Sequence, residues 1–403
     1  MPSSSTSAST SETHFEGDLT PGERFWVDLQ PWLRDAGYDL RSRYQPGWQP
    51  SWLNDGENAE KPSLLCEDGV CNPRDNVLDA IKILDGGQRV PVTLKTIKAV
   101  FEDEIEYLQF FAQKKLRSDS RNHCISLIDV LSPPSCPDKR IMVFPRLVPW
   151  DVFPFARVSE ALDFFGQTLE GLAFMHEQNF AHRDASWGNV MMDGLHLFHE
   201  PPHPSRPSLP LCGDSRAVRH IQRCEAGANR PVRYLFIDFG LSVHFPSREA
   251  REPGRGPPGQ DRSAPELKGD AAYDPFALDV YCLGNLFFVH WLNAYANVEF
   301  MRPLVADMMH PVPAARPTAA EALARFNAIR RNIPPKARSA SLKRVKGYDW
   351  QEYVKGNVSA RAPHAGLLDR LLRRRHTAKS PRARKDKPVA TPKLANTKVA
   401  AAA

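Results

Sequence analysis

The stretch His182-Arg183-Asp184-Ala185-Ser186-Trp187-Gly188-Asn189 places an aspartate and, five positions on, an asparagine in one short segment. An aspartate can accept the proton of an attacking hydroxyl, and an asparagine amide oxygen is a hard donor suited to magnesium. Phosphoryl transfer asks for little more covalent help than this. It needs phosphates and metal held still and a hydroxyl aimed at phosphorus. A second hard oxygen follows downstream in Asp238-Phe239-Gly240, at the end of strand-like residues 234–237. Asp184 is thus the candidate catalytic base, and Asn189 and Asp238 are the candidate metal ligands.

Elements on both sides must bring these groups together. Residues 77–83 and 89–97 are rich in Val, Ile and Leu and are joined by Asp85-Gly86-Gly87, which predicts a hairpin. A helix over 101–113 is predicted to turn Ile105, Leu108 and Ala112 inward. Residues 125–130 and 141–144 read as further strands. A long helix over 159–178, capped by Ser159, carries a stripe of Leu162, Phe165, Leu169, Leu172 and Met175. Residues 194–233, rich in Pro, His and Arg, read as an inserted loop; helical patterns then dominate from 276 to 330. Strands with one helix, followed mostly by helices, predict an α+β chain with a small sheet-bearing lobe and a larger helical one. The division expected is a disordered N-terminus at 1–24, an extension and sheet-bearing lobe at 25–147, a helical lobe at 148–333, and a basic, disordered tail at 334–403.

Bulk properties narrow the function classes. The chain has 403 residues and a net charge of +6, but residues 361–403 alone hold twelve Lys/Arg against two acids, so the remainder is mildly acidic. Nucleic-acid binding is therefore not expected of the body, only allowed for the tail. The aromatics Trp26, Trp32, Tyr38, Tyr44, Trp48 and Trp52 are dense enough to pack on a folded body; base stacking alongside Arg41 and Arg43 is the weaker alternative. Seven cysteines without a CxxC pair, and no basic-then-apolar leader, point to reduced thiols and an intracellular protein, cytoplasmic or nuclear. The apolar run 281–292 is too short to cross a bilayer, which takes about 20 residues. His196, His199 and His203 have metal-like spacing but read as a solvated loop. Oligomeric state is not legible.

Three more motifs follow in order: Ala264-Pro265-Glu266, Asp279-Val280-Tyr281-Cys282-Leu283-Gly284 and Arg316-Pro317-Thr318. With the octet and Asp238-Phe239-Gly240, they make the chain similar to the protein-kinase superfamily from about residue 75 to about 330. More narrowly, residues 39–52, Asn122-His123-Cys124 and Val190-Met191-Met192-Asp193 resemble uncharacterised kinase-like proteins of basidiomycete fungi, a likeness that brings no substrate. The resemblance implies a bilobal kinase-like fold. It also implies an ATP- and Mg²⁺-dependent kinase that moves the γ-phosphate to Ser or Thr of protein substrates. Asp184 would be the base, with magnesium on Asn189 and Asp238. Residues 144–147, from Phe144 to Leu147, would be the hinge that binds adenine. Arg183 would touch an activation segment running from 238 to 266, Glu266 would pair with Arg316, and Asp279 would brace the catalytic loop. The alternative is a pseudokinase that serves as a binding or scaffold module. A small-molecule phosphotransferase fits less well with the Ala264 and Arg316 motifs.

The chain departs from the family pattern at three points. No GxGxxG precedes the ATP-binding lysine. That lysine is Lys95, with Glu104 as its carboxylate partner, or else Lys82; Lys95 is favoured because its strand comes immediately before the helix. Ser186 stands where a Ser/Thr kinase carries lysine, so transition-state charge is less well neutralised unless an arginine from elsewhere replaces it. Arg183 could receive a phosphate on Ser247, or the segment could be ordered without one.

Overall fold

Period-two alternation sorts the larger sheet onto two faces. In β3 (Arg89–Lys98), Val92 and Leu94 are fully buried on one face, and Thr93 and Lys95 belong to the other. Around β3 stand β1 (Tyr38–Asp39), β2 (Val77–Ile83), β4 (Asp129–Leu131) and β5 (Lys139–Pro145). The five form a curled antiparallel sheet in the order β1-β2-β3-β5-β4. The β2–β3 hairpin closes through Gly86 and Gly87, both left-handed at φ +83° and +81°, a conformation that glycine adopts without strain. The computed structural model describes residues 18–348, apart from 55, 57, 60, 153, 199–200, 208–210, 212–230, 257–258 and 270. Cys212, Cys224, His199 and the basic stretch 361–403 lie outside the described residues.

Helix α1 (Pro21–Asp35) starts at a capping box in which Thr20 Oγ1 accepts from Glu23 N and Glu23 Oε2 accepts from Thr20 N. The boundary expected at residue 24 therefore falls inside a helix. Its stripe of Trp26, Leu29 and Leu33 packs with Leu78, Ala80, Val92, Leu94, Ile141 and Val143 into one apolar core. Arg41 and Arg43, the cations a stacking surface would need, are both buried in ion pairs, to Asp79 and Glu67 and to Glu23.

A 3₁₀ turn, Ala99–Phe101, delays α2 (Asp103–Ala112), which is followed by the short α3 (Lys114–Arg117). The inward face of α2 is Ile105, Leu108 and Phe111; Ala112, expected inside, is exposed. Residues 125–130 do not form one strand: β4 begins at Asp129, and Cys124 instead bridges in parallel to Phe236.

The second part is mostly helical. In α4 (Val158–Glu177) the stripe Leu162, Phe165, Leu169, Leu172 and Met175 is fully buried. Ser159 is not its cap: the helix begins one residue earlier, and Glu160 accepts from Ala156 N at 2.7 Å. Short strands flank it, with β6 (Val148–Pro149), β8 (Val190–Asp193) and β9 (Arg233–Phe236) forming one sheet and β7 (Phe180–Ala181) pairing with β10 (Val243–His244). Next come α5 (Pro275–Phe287), α6 (Arg302–Met308), α7 (Ala319–Asn332), whose capping box is Thr318 with Glu321, and α8 (Pro335–Arg338). Helix α5 continues into a π turn, and the run Pro275–Leu292 is 18 residues long. It is longer than the 281–292 stretch read from sequence and apolar enough to resemble a span, but 83% of it is buried inside the protein. That marks a core helix.

The tail boundary at 334 also comes too early. Beyond α8, Leu342 N donates to Ala156 O at 2.8 Å and Lys343 O accepts from Ala296 N at 2.8 Å, so the chain still packs on the helical part.

Candidate active site

Of the two candidate lysines, Lys95 is the one that the fold brings to Glu104 and Asp238. Its Nζ lies 2.7 Å and 2.9 Å from the two carboxylate oxygens of Glu104 on α2, and 2.9 Å from Oδ1 of Asp238. Lys82 sits an odd number of positions along β2 from Val77, the cross-strand partner of Lys95, and pairs instead with Asp129 at 3.2 Å. The short chain between Lys95 and Glu104 suffices because β3 runs straight into the turn before α2. Burial disfavours the Lys95 ammonium, but the two carboxylates outweigh it and raise its pKa, so it stays charged. Burial likewise opposes ionisation of Asp238, yet Lys95 prevails and holds that carboxyl below the usual range. Glu104 Oε1 also accepts from Phe239 N at 3.2 Å, tying α2 to the Asp238-Phe239-Gly240 turn.

Asp184 lies on the loop between β7 and the 3₁₀ turn Trp187–Asn189. Its Oδ1 accepts from Ser186 Oγ at 2.8 Å and from Gln260 N at 2.9 Å, and its Oδ2 accepts from Asn189 Nδ2 at 2.8 Å. Burial pushes the Asp184 carboxyl up, against the pull of the Gln260 and Ser186 hydrogen bonds. Asn189 Oδ1, the atom that would face a metal, accepts from Gln260 Nε2 at 3.0 Å. This close approach needs glycine next door: a Cβ on Gly259 would lie 2.3 Å from Asp184 Oδ1.

Buried groups hold the loop. Asp279 on α5 is fully buried; its carboxylate accepts from His182 N at 2.8 Å, Arg183 N at 2.6 Å and His176 Nε2 at 3.0 Å. It braces the loop as the resemblance implies. Arg183 and Asp238 both take left-handed backbone, at φ +64° and +63°, which non-glycine residues adopt only where the surroundings enforce it. The Arg183 guanidinium donates to Leu241 O at 3.1 Å, Arg255 O at 2.8 Å and Tyr273 Oη at 2.7 Å. It therefore holds the 238–266 segment through unmodified oxygens. Arg316 makes a two-pronged pair with Glu266, at 2.5 Å and 2.7 Å.

These groups open on one cleft of about 300 Å³, lined among others by Val77, Thr93, Lys95, Phe144, Leu147 and Asp238. Asn189 and Gln260 line it as well. Every site residue read from the sequence is thus brought to one place: Asn189, Asp238, Lys95, Glu104, Phe144 and Leu147 line or bound the cleft, and Asp184 is one hydrogen bond behind Asn189. Two hard oxygens, from Asn189 and Asp238, suit a small divalent cation that takes its remaining ligands from water and phosphate. Among the described residues no group of three or more His, Cys, Asp or Glu is placed to hold a metal. His203, expected in a solvated loop, is instead buried against Glu67 O at 2.9 Å.

Gln260 was missed in the sequence because nothing distinguishes it locally: it sits in a Gly/Pro-rich stretch and acquires its contacts only by folding back across 71 positions. Arg74 and Asn76 line the cleft too and carry no motif.

No protein-family model matches the chain. Over 238 residues, 59% of its length, it is 23% identical to Crinkler effector protein 8 of Phytophthora infestans. The matched stretch covers 32% of that protein, so the chain spans about a third of the length of this curated relative.

Proposed function

We propose that the protein is an ATP- and Mg²⁺-dependent protein kinase that transfers the γ-phosphate to Ser or Thr of protein substrates. The sheet-bearing and helical parts would then be the two lobes of a kinase-like fold. One observation carries the reading: the Lys95–Glu104–Asp238 ion cluster and the Asp184–Asn189 pair, remote in sequence, meet at a single cleft. Adenine would enter beside Phe144 and Leu147. Pro145 has no N–H and the Arg146 amide donates to Pro91 O at 3.2 Å, which leaves Leu147 N–H as the hinge donor. Lys95 would orient the phosphates. Asn189 and Asp238 would hold magnesium, which when bound neutralises phosphate charge. Asp184 would accept the proton of the substrate hydroxyl, once that hydroxyl displaces the Gln260 amide from Oδ1.

The same Gln260 contacts favour a second reading, a pseudokinase that binds partners without turnover, because they occupy both the base and the metal-facing amide oxygen. Incubation with labelled ATP, Mg²⁺ and a generic protein substrate separates the two. Wild-type protein is expected to transfer label, and Asp184→Asn to lose about 10³-fold. Equal transfer by both proteins, or none by either, defeats the kinase reading.

A further inference from the structure

Nucleotide phosphates need cationic or amide donors, and two customary sources are missing from this cleft. The chain has no glycine-rich turn, and Ser186 supplies no charge. Lys95 is itself shared between two carboxylates. The turn of residues 72–76 leads directly into β2, and from it Arg74 and Asn76 line the cavity. Arg74 is exposed, and among the described residues its guanidinium makes no hydrogen bond or ion pair. Four other arginines of the sheet-bearing part are committed: Arg41 to Asp79, Arg43 to Glu23, Arg89 to Asp39 and Arg140 to Glu102.

The backbone that carries Arg74 is fixed from both sides. The Asn72 side chain donates to Arg74 O at 2.8 Å, and Asn72 N donates to the buried Glu23 carboxylate at 3.0 Å. Trp26 Nε1 donates to Asp75 O at 3.0 Å, while Asn76 O accepts from Thr96 N at 2.8 Å. Gly22 of α1 packs so tightly on this turn that a Cβ there would lie 2.1 Å from the Asp75 carboxylate. An unpaired guanidinium on a pinned backbone is available to an anion in the cleft it lines, and its planar fork suits phosphate oxygens.

We propose that Arg74 joins Lys95 as a phosphate-binding residue of this cleft, doing with a guanidinium what a glycine-rich turn does with backbone amides. The N-terminal extension, through Glu23 and Trp26, is the scaffold that holds it there. This inference rests on the nucleotide-binding reading and assigns the group that recognises the polyphosphate within it. It makes affinity depend on the phosphates rather than on the nucleoside.

Titration calorimetry of the full chain with Mg·ATP and, separately, with adenosine tests it. Arg74→Ala is expected to weaken Mg·ATP binding by about tenfold or more while leaving adenosine within about twofold, and Arg74→Lys to recover part of the loss. The melting temperature should not move, since the side chain is exposed and unpaired. The wild-type preference for Mg·ATP over adenosine should shrink at high salt. Unchanged Mg·ATP binding by Arg74→Ala, or equal loss of both ligands, overturns the assignment. Wild-type protein that binds both ligands equally keeps the nucleotide reading and removes Arg74 from it; wild-type protein that binds neither removes both.

Discussion

Glu23 with Arg43, in the N-terminal extension, and Lys95 with Glu104 and Asp238, at the cleft, are ion clusters of similar chemistry with different endings. In the first, both side chains are sealed from solvent. The Glu23 carboxylate accepts from Arg43 Nε and Nη2, Thr20 N, Asn72 N and Tyr44 Oη, and Arg43 spends its other donors on Asp18 O and Asp68 O. Neither side chain is open to a ligand from solvent. In the second, the Asp238 side chain is half exposed, and Lys95 contacts it from the cleft wall. A saturated cluster fixes a scaffold; an open one keeps capacity for something that arrives later. Burial and completeness, rather than charge, separate the sealed pair from the open cluster.

Removing one partner from the sealed pair should have the largest effect. Glu23→Ala strands a buried guanidinium and is expected to cost about 3–5 kcal/mol of folding free energy, read by denaturant unfolding. A loss under about 1 kcal/mol would show that the pair is not sealed in solution. In the open cluster, Asp238→Asn should act the other way round: phosphotransfer falls about 100-fold, roughly 2.7 kcal/mol of barrier, while the melting temperature shifts by only a few degrees. Asparagine tolerates the left-handed backbone at this position, so the fold is preserved.

Acid should weaken the sealed region next. His203 packs among Arg41, Glu67, Asp79 and Arg146, and burial with the neighbouring Arg41 charge pushes its pKa down to about 4. Its Nδ1 accepts from Ser205 N, so the folded protein holds it neutral. The unfolded chain takes up the proton near the ordinary value of about 6.5, so this stability is fully present above that pH and is lost as pH falls towards 4. By pH 5 the loss is about 2 kcal/mol, visible as a lower urea midpoint that His203→Asn makes less pH-dependent. Smallest of all, Lys82→Met removes a half-exposed pair with Asp129 and should change stability by less than about 1 kcal/mol and activity not at all.

Much of the site was legible because its parts are local. The octet, the Asp238 turn and the lysine strand each state their own geometry: alternation puts Lys95 on the face opposite the core residues Val92 and Leu94, and helical spacing puts Glu104 on the first turn of α2. Helices with strong stripes, such as α4, were read nearly to their ends. Errors fell where tertiary contacts override local pattern. Residues 125–130 gave way to a parallel bridge at Cys124, residues 339–348 pack on the helical part despite a basic composition, and His203 left its loop for a buried seat beside Arg41.

Residue type alone sets which groups could do the chemistry, because an aspartate, an asparagine and a lysine carry their acidity, hardness and charge wherever they stand. Tertiary packing sets the rest: which of two lysines faces the cleft, that Gln260 covers Asp184 and Asn189, and that an extension helix pins the turn bearing Arg74. Those outcomes depend on distances between residues tens to more than a hundred positions apart. Such distances are set by the packing of α1, α2 and the sheet, and no local pattern records them.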